Sequence, residues 1–298
     1  MTRLISTTVF RALCTRANSF SRFTGAGRQA LYHLSEGLPP SADLGRAIDE
    51  ICELAVDRGV RLLFDAEQQA VQRGIDAWTL DYMRKYNTAP GDAVIYGTYQ
   101  AYLKSTPQTL MNHLNAAQAE GFTLGVKLVR GAYLGSDPRA LIHDTKDATD
   151  AAYNGIAESL LTRSWTGPIT GSGPYANVSL VLASHNADSV RLARSICESG
   201  QARTPVAFAQ LQGMADEVSC ELVYSQTTAG PAAKDSHVTE AAVGRNPVQA
   251  YKYLVWGSTG ECMKYLLRRA QENRDAVQRT KSGRDAMWTE TMRRMKRV

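Results

Sequence analysis

Short apolar runs alternate with longer segments of helical periodicity from residue 60 onward, and this alternation constrains the fold more than any other feature of the sequence. The apolar runs lie at 61–67, 93–102, 123–133, 178–186, 205–214 and 251–256. Segments with helical spacing of apolar residues lie between them, at 106–120, 187–199 and 215–224. Strands separated by a helix-length of chain are typical of parallel βαβ units, so the sequence predicts an α/β fold.

Most of the apolar runs end in charged or amide-bearing residues. These residues are Asp65 and Glu67, Gln100, Lys127 and Arg130, His185 and Asn186, and Gln212. A (β/α)8 barrel builds its site at the carboxyl ends of its strands, so this recurrence favours the barrel. The alternative is a doubly wound sheet, which normally carries a GxGxxG phosphate turn, and the sequence has none.

The formal net charge of +5 is unevenly distributed along the chain. Residues 1–35 hold five arginines and no acid, residues 268–298 carry a balance of +6, and the body between them is acidic at −6. An acidic body argues against a surface that binds nucleic acid. No apolar run approaches the roughly 18 residues that a transmembrane helix requires.

This charge distribution suggests three parts for the chain. Residues 1–19 are rich in Arg, Ser and Thr, which is typical of a mitochondrial presequence; the alternative is a frayed basic terminus without a targeting role. Residues 20–280 are predicted to form the barrel, with 225–248 as a surface insertion loop, and 281–298 form a basic tail. The five cysteines are widely spaced without a CxxC pair, and no metal-binding motif occurs, so we expect free thiols and no metal.

The segment VKLVRGAY places two cations in a strand that is predicted to be buried. Lys127 and Arg130 are an odd number of residues apart, so they point to opposite faces of a regular strand. Buried cations require anions, which favours a bound anionic ligand whose approach Gly131 permits; the alternative is a structural carboxylate partner. Asp65 and Glu67 are two residues apart, and they serve either acid–base chemistry or the neutralisation of Lys127.

A helix is predicted to begin at about residue 259, because Ser258 and Glu261 have the spacing of a capping box. Along it, Arg268 and Arg269 lie one helical turn before Glu272. Two guanidinium groups held by a carboxylate form a clamp for a carboxylate or phosphate ligand. The alternative is an ordinary solvated helix face.

Six motifs in order carry a resemblance to a known family. They are FDAE (64–67), YQAY (99–102), KLVRGAY (127–133), ASHN (183–186), QLQGM (210–214) and YLLRRAQEN (265–273). Over about residues 20–280 the chain resembles proline dehydrogenase, particularly its fungal mitochondrial members. The resemblance implies a distorted (β/α)8 barrel that binds FAD and oxidises L-proline to Δ1-pyrroline-5-carboxylate. It also implies electron transfer to a quinone at the matrix side of the inner mitochondrial membrane.

The resemblance assigns roles to individual residues of this sequence. The expected catalytic residues are Asp65, Tyr133 and Arg22. The expected substrate-binding residues are Leu211, Tyr253, Arg268, Arg269 and Glu272. The expected FAD-binding residues are Gln100, Lys127, Arg130, Gly131 and His185.

Two departures from the family pattern leave other functions open. Arg22 stands where family members normally carry Lys, and the long helical segment that precedes the barrel in eukaryotic members is missing, so we expect an N-terminally truncated chain. One alternative is therefore a catalytically impaired or truncated paralogue. Another is a different barrel enzyme, such as an aldolase with Lys127 as its Schiff-base residue, or a folate-linked flavin reductase.

Overall fold

The computed structural model describes residues 19–227, 249–255, 257–260, 262–263, 266–267 and 280–295. Seven strands within these ranges pair in parallel and follow one another in chain order. They are β1 (Ser19–Ser21), β2 (Leu62–Phe64), β3 (Ile95–Gln100), β4 (Leu124–Val129), β5 (Val178–Ala183), β6 (Val206–Leu211) and β7 (Gln249–Tyr253). A doubly wound sheet would reverse its strand order at one point, so the chain-order sheet confirms the prediction of a distorted (β/α)8 barrel.

Helices lie between successive strands. They are α1 (Arg28–Glu36), α2 (Ala42–Arg58), α3 (Gln69–Tyr86), α4 (Thr106–Glu120), α5 (Lys146–Thr162), α6 (Ala187–Glu198) and α7 (Asp216–Thr227), and α8 (Thr280–Met295) lies near the C-terminus. The helices predicted at 106–120, 187–199 and 215–224 correspond to α4, α6 and α7. Among the residues that the structure describes, no helix has the length and apolar character needed to cross a membrane.

Strands β2 to β6 are buried or half-buried along their length, as parallel strands covered by helices must be, whereas β7 is more exposed. All six residues of β3 are buried. Leu110 and Leu114, one helical turn apart on α4, belong to the main core between strands and helices. A smaller cluster that includes Leu63, Tyr96, Val181 and Ala207 lines the other face of the strands, which is the barrel interior.

Asn87 joins the start of two strands. It follows α3 and is 1% exposed. Its Nδ2 donates to the carbonyl oxygens of Ile95 (2.8 Å) and Thr123 (3.0 Å), and its Oδ1 accepts from the backbone N–H groups of Val94 and Ile95. One amide side chain thus satisfies four backbone groups where β3 and β4 begin.

The predicted three-part organisation is only partly within the described ranges. The presequence-like segment 1–19 lies outside them except for Ser19, the first residue of β1. Of the predicted insertion loop 225–248, residues 225–227 end α7 and the remainder is outside the described residues. The segment 281–298, predicted as a basic tail, is helical over most of its length because α8 covers it to Met295.

Candidate active site

Strand register brings the predicted site residues to one face of the sheet. Leu63 pairs with Tyr96, Thr98 with Lys127, and Lys127 with Val181, and these residues share the face that forms the barrel interior. Side chains alternate along a strand, so positions two residues further on share that face. The interior positions at the carboxyl ends of the strands are Arg22, Asp65, Gln100, His185, Leu211 and Tyr253.

Asp65 lies between two cations. Its Oδ1 accepts a hydrogen bond from Lys127 Nζ at 2.6 Å, and its Oδ2 is 3.8 Å from Arg22 Nε. The Lys127 and Asp65 side chains are 12% and 21% exposed, so the pair is largely shielded from water. Of the two roles foreseen for this carboxylate, the structure supports the neutralisation of Lys127. We call Arg22, Asp65 and Lys127 the charged cluster.

Two tyrosines lie close to Arg22. Burial alone would lower the pKa of Arg22, but the nearby Tyr133, Asp65 and Glu67 groups outweigh it and raise that pKa, with a smaller contribution from Tyr253. The Tyr133 hydroxyl donates to the Ala66 carbonyl oxygen at 3.3 Å, which holds the ring against the segment after β2. Tyr133 and Tyr253 therefore flank the charged cluster.

Glu67 has a structural role that the sequence did not reveal. It is 7% exposed, accepts a hydrogen bond from the Thr24 hydroxyl, and accepts a second from the Thr24 backbone N–H at 3.3 Å. These contacts fasten the turn after β1 to the end of β2, which positions Arg22 beside Asp65. The two acidic residues of FDAE thus have separate partners rather than acting as a pair.

Gln100 is a buried amide with one unused donor. It is 3% exposed, and its Oε1 accepts from the Ala132 backbone N–H at 3.0 Å. Its Nε2 is buried without a hydrogen-bond partner in the described part of the chain. A buried donor without a partner is costly, so this position suits a ligand that presents an acceptor. The carbonyl and ring nitrogen atoms of a flavin are acceptors of this kind.

His185 and the end of β6 are linked. The Leu211 backbone N–H donates to His185 Nε2 at 3.0 Å, which in a neutral imidazole places the proton on Nδ1. Leu211 is in register with Tyr253 across β6 and β7. The Leu211 and Tyr253 positions thus form the wall next to His185.

Arg130 faces away from the charged cluster. Its guanidinium contacts the Asp150 carboxylate, lies 5.2 Å from the centre of the Tyr153 ring, and donates to Ser189 Oγ at 3.1 Å. Burial lowers the pKa of Arg130, an effect that Tyr153 partly offsets. The predicted opposite orientation of Lys127 and Arg130 is confirmed. The alternative to a bound anionic ligand was a structural carboxylate partner for one of the two cations. The structure gives both cations such a partner, Asp150 for Arg130 and Asp65 for Lys127.

Gly131 is required by a neighbouring aromatic ring. It has a φ of +153°, and a Cβ at this position would clash with the ring of Tyr102. The Tyr102 hydroxyl donates to Asp137 Oδ2 at 2.5 Å, and Asp137 is 8% exposed. This contact holds the loop that carries Tyr133. Sequence reasoning missed the Tyr102–Asp137 pair because no spacing rule links residues so far apart in the chain.

The predicted arginine clamp lies outside the described residues. Arg268, Arg269 and Glu272 are all in this part of the chain. The predicted helix start is confirmed, since residues 259–260 are helical and the Cys262 backbone N–H donates to the Ser258 carbonyl oxygen at 3.0 Å.

The comparisons with known proteins agree on one family. A family model described as proline dehydrogenase matches residues 5–282. A probable mitochondrial proline dehydrogenase of Schizosaccharomyces pombe is 35% identical over 257 residues, which cover 83% of this chain and 49% of that protein. Mitochondrial proline dehydrogenase 1 of Caenorhabditis elegans is 36% identical, with 83% and 37% covered. A hydroxyproline dehydrogenase of Bos taurus is 33% identical, with 85% and 51% covered.

The solved structures agree on the fold. Proline utilization A from Bdellovibrio bacteriovorus, inactivated by N-propargylglycine, superposes with a TM-score of 0.64 at 18% identity, covering 91% of this chain and 27% of that one. The chain spans about half the length, or less, of the curated relatives reported above.

Proposed function

Since the chain belongs to the proline dehydrogenase family, we propose that it oxidises L-proline to Δ1-pyrroline-5-carboxylate, the first step of proline catabolism. The reaction removes two electrons and two protons from the ring C–N bond. The observation that carries the proposal is the charged cluster, which lies at the carboxyl ends of β1 and β2 and in the carboxyl-terminal half of β4, the side of the barrel where a barrel enzyme keeps its reacting groups.

FAD is the cofactor we propose. Gln100, Lys127 and His185 would hold it from the barrel interior. Arg130 and Gly131 belong to the set that the family resemblance suggests, but the Arg130 guanidinium faces away from the charged cluster, towards Asp150 and Ser189. The unused Gln100 Nε2 is the observation that fits such a group. Bound there, a flavin supplies the two-electron acceptor that amino-acid side chains cannot provide. Lys127, which Asp65 holds in place, would stabilise negative charge that develops near it in the transition state.

The remaining residues position the substrate in this proposal. Arg268 and Arg269, oriented by Glu272, bind the proline carboxylate, because paired guanidinium forks match a carboxylate. Tyr253 and Leu211 pack against the apolar pyrrolidine ring. Asp65, Arg22 and Tyr133 close the wall around it, and the two tyrosines exclude water from the reacting C–N bond.

We further propose that the electrons pass to a quinone at the matrix side of the inner mitochondrial membrane. The support is the mitochondrial designation of the relatives from Schizosaccharomyces pombe and Caenorhabditis elegans, together with the acid-free N-terminal composition.

The experiment that tests this function is a visible spectrum of the purified chain after incubation with FAD, followed by dye reduction with L-proline. We expect a flavin spectrum that persists through gel filtration, and turnover with L-proline exceeding that with trans-4-hydroxy-L-proline, the comparison that the bovine relative suggests. A folded chain that retains no flavin contradicts the proposal.

The substrate clamp has a separate test. Arg269→Ala removes one guanidinium from the proposed carboxylate site, so we expect the KM for L-proline to rise by at least about tenfold while the flavin stays bound. Arg274→Ala, which removes a nearby cation outside the proposed clamp, is the control. An unchanged KM in Arg269→Ala shows that the carboxylate binds elsewhere.

Two alternatives make different predictions. An aldolase would form a Schiff base on Lys127, but Lys127 Nζ is held by the Asp65 carboxylate at 2.6 Å rather than presented to a substrate. Borohydride trapping with a carbonyl substrate therefore yields no adduct. In an impaired paralogue, Arg22→Lys would restore turnover. We expect Arg22→Lys to change turnover with L-proline by less than about threefold, because Arg22 already places a cation beside Asp65.

A further inference from the structure

A cavity between two helices reaches the proposed FAD residue Gln100 at one edge, but its other polar groups have no role in the proposed reaction. Its volume is about 550 Å³, and it lies between α3 and α4. Gln69, Gln72 and Asp76 of α3 form one wall, and Tyr99 and His113 form another. Tyr99 belongs to β3, but it alternates with the inward residue Gln100 and so points towards the helices.

Asp76 is a carboxylate without a cation. Its Oδ1 accepts a hydrogen bond from Gln72 Nε2 at 2.8 Å, and it makes no ion pair with any residue that the structure describes. Arg84, which also lines the cavity, is held by Asp81 at 2.7 Å and by Glu120. Burial raises the pKa of Asp76 to about 7, against the opposing effect of the Gln72 hydrogen bond. A positively charged ligand would compensate this carboxylate.

The other walls add an aromatic surface and a free donor. Tyr99 is 5% exposed, and its hydroxyl shares a hydrogen bond of 2.7 Å with His113 Nδ1. With its polar end occupied, the Tyr99 side chain offers its ring to a ligand, and aromatic rings attract ammonium groups. Gln69 Nε2 is buried and has no partner among the described residues, so it calls for an acceptor oxygen.

We propose that this cavity binds a small alkylammonium ion that carries an oxygen acceptor. The ammonium group lies beside Asp76 and the Tyr99 ring, and the oxygen accepts from the Gln69 amide. None of Asp76, Tyr99 and Gln69 belongs to the charged cluster or to the proposed FAD-binding residues, so the proposal stands whether or not the chain oxidises proline.

The charge state of the cavity gives the proposal a pH signature. The charged and titratable groups around Asp76 are Arg73, Asp81, Arg84, Tyr99 and His113. Burial lowers the pKa of His113 to about 4 and raises that of Tyr99 well above its ordinary value, so both are neutral near neutral pH. Half-buried Asp76 is then the group that titrates in this range, and a permanently charged ligand binds about tenfold more weakly at about pH 6 than at about pH 8.

Calorimetric titration of the full chain with choline tests the proposal, because choline keeps its positive charge at every pH. Its uncharged carbon analogue, 3,3-dimethylbutanol, is the control ligand. We expect saturable binding of choline, binding of the analogue weaker by at least about tenfold, and a similar loss of choline affinity in Asp76→Asn. Asp57→Asn removes the same charge from an exposed position on α2 outside the cavity, and we expect choline affinity within about twofold of the wild type because the Asp76 carboxylate remains.

Ala77→Phe provides a second route if Asp76→Asn fails to fold. Ala77 lines the cavity from an exposed position on α3, so a phenyl ring there obstructs the cavity while the buried core is unchanged. We expect choline binding to be lost. The proposal is overturned by undiminished binding in Ala77→Phe or in folded Asp76→Asn, by equal binding of the analogue, or by no binding at about 10 mM choline.

Discussion

The ion pair between Asp65 and Lys127 makes the sharpest stability prediction. Two unit charges at 2.6 Å attract by about 6 kcal/mol at an effective dielectric constant of about 20, and desolvation offsets part of this. Because the side chains are only 12% and 21% exposed, we expect Asp65→Asn to destabilise the fold by about 3 kcal/mol and Lys127→Met by about 2 kcal/mol. The aspartate costs more because its loss also removes the carboxylate that lies 3.8 Å from Arg22 Nε.

A double-mutant cycle isolates the interaction. The double variant removes both charges together, so we expect it to be more stable than the sum of the single effects predicts, with a coupling energy of about 2 kcal/mol. The measurement is urea unfolding of the full chain, monitored by far-UV circular dichroism.

An exposed ion pair supplies the matched control for this cycle. The side chains of Lys104 and Asp144, with nitrogen and oxygen 3.3 Å apart, are 44% and 83% exposed. We expect a coupling energy below about 0.5 kcal/mol for this pair. A coupling for Asp65 and Lys127 as small as that of the control would refute the conclusion that the charged cluster is shielded from water.

Three further predictions concern the fold around the site. Gly131→Ala forces a Cβ against the Tyr102 ring at a positive φ, and we expect the free energy of unfolding in urea to fall by about 2–4 kcal/mol. The control is Gly135→Ala, where the space is open and we expect a loss of less than about 1 kcal/mol. Asn87→Ala leaves four backbone groups without their partner and costs about 3 kcal/mol or more by the same measurement; a loss below about 1 kcal/mol would contradict this role. Burial lowers the pKa of His113 to about 4. Between about pH 6.5 and about pH 4 the unfolded chain therefore gains a proton that the folded chain does not, so the free energy of unfolding falls by about 2–3 kcal/mol as the pH is lowered. In thermal unfolding at a series of pH values, His113→Gln should flatten this pH dependence of stability.

Alternation along the strands predicted much of the site, and tertiary contacts decided the rest. The odd spacing of Lys127 and Arg130 predicted opposite faces, but only the pairing of β4 with β5 shows that Lys127 faces the interior. Likewise, the spacing of Asp65 and Glu67 could not separate their roles. Thr24, which holds Glu67, is 43 residues away in the chain, and no local pattern specifies such a contact.

The cavity beside α3 is a second feature that the sequence alone did not predict. The segment 69–86 contains an ordinary mixture of polar and apolar residues, and the sequence did not single out Asp76. Its burial arises only when α4 packs alongside and brings His113 to the opposite wall. Functional predictions that rest on motifs therefore find the charged cluster and miss this second group of polar side chains.

Anaerobic titration of the FAD-loaded chain with L-proline tests the central claim most directly. A chain that oxidises proline loses the visible absorbance of the flavin on addition of L-proline, and Δ1-pyrroline-5-carboxylate forms in the amount of flavin reduced. D-proline serves as the control. A flavin that stays oxidised with excess L-proline, while dithionite still reduces it fully, would contradict the proposed function.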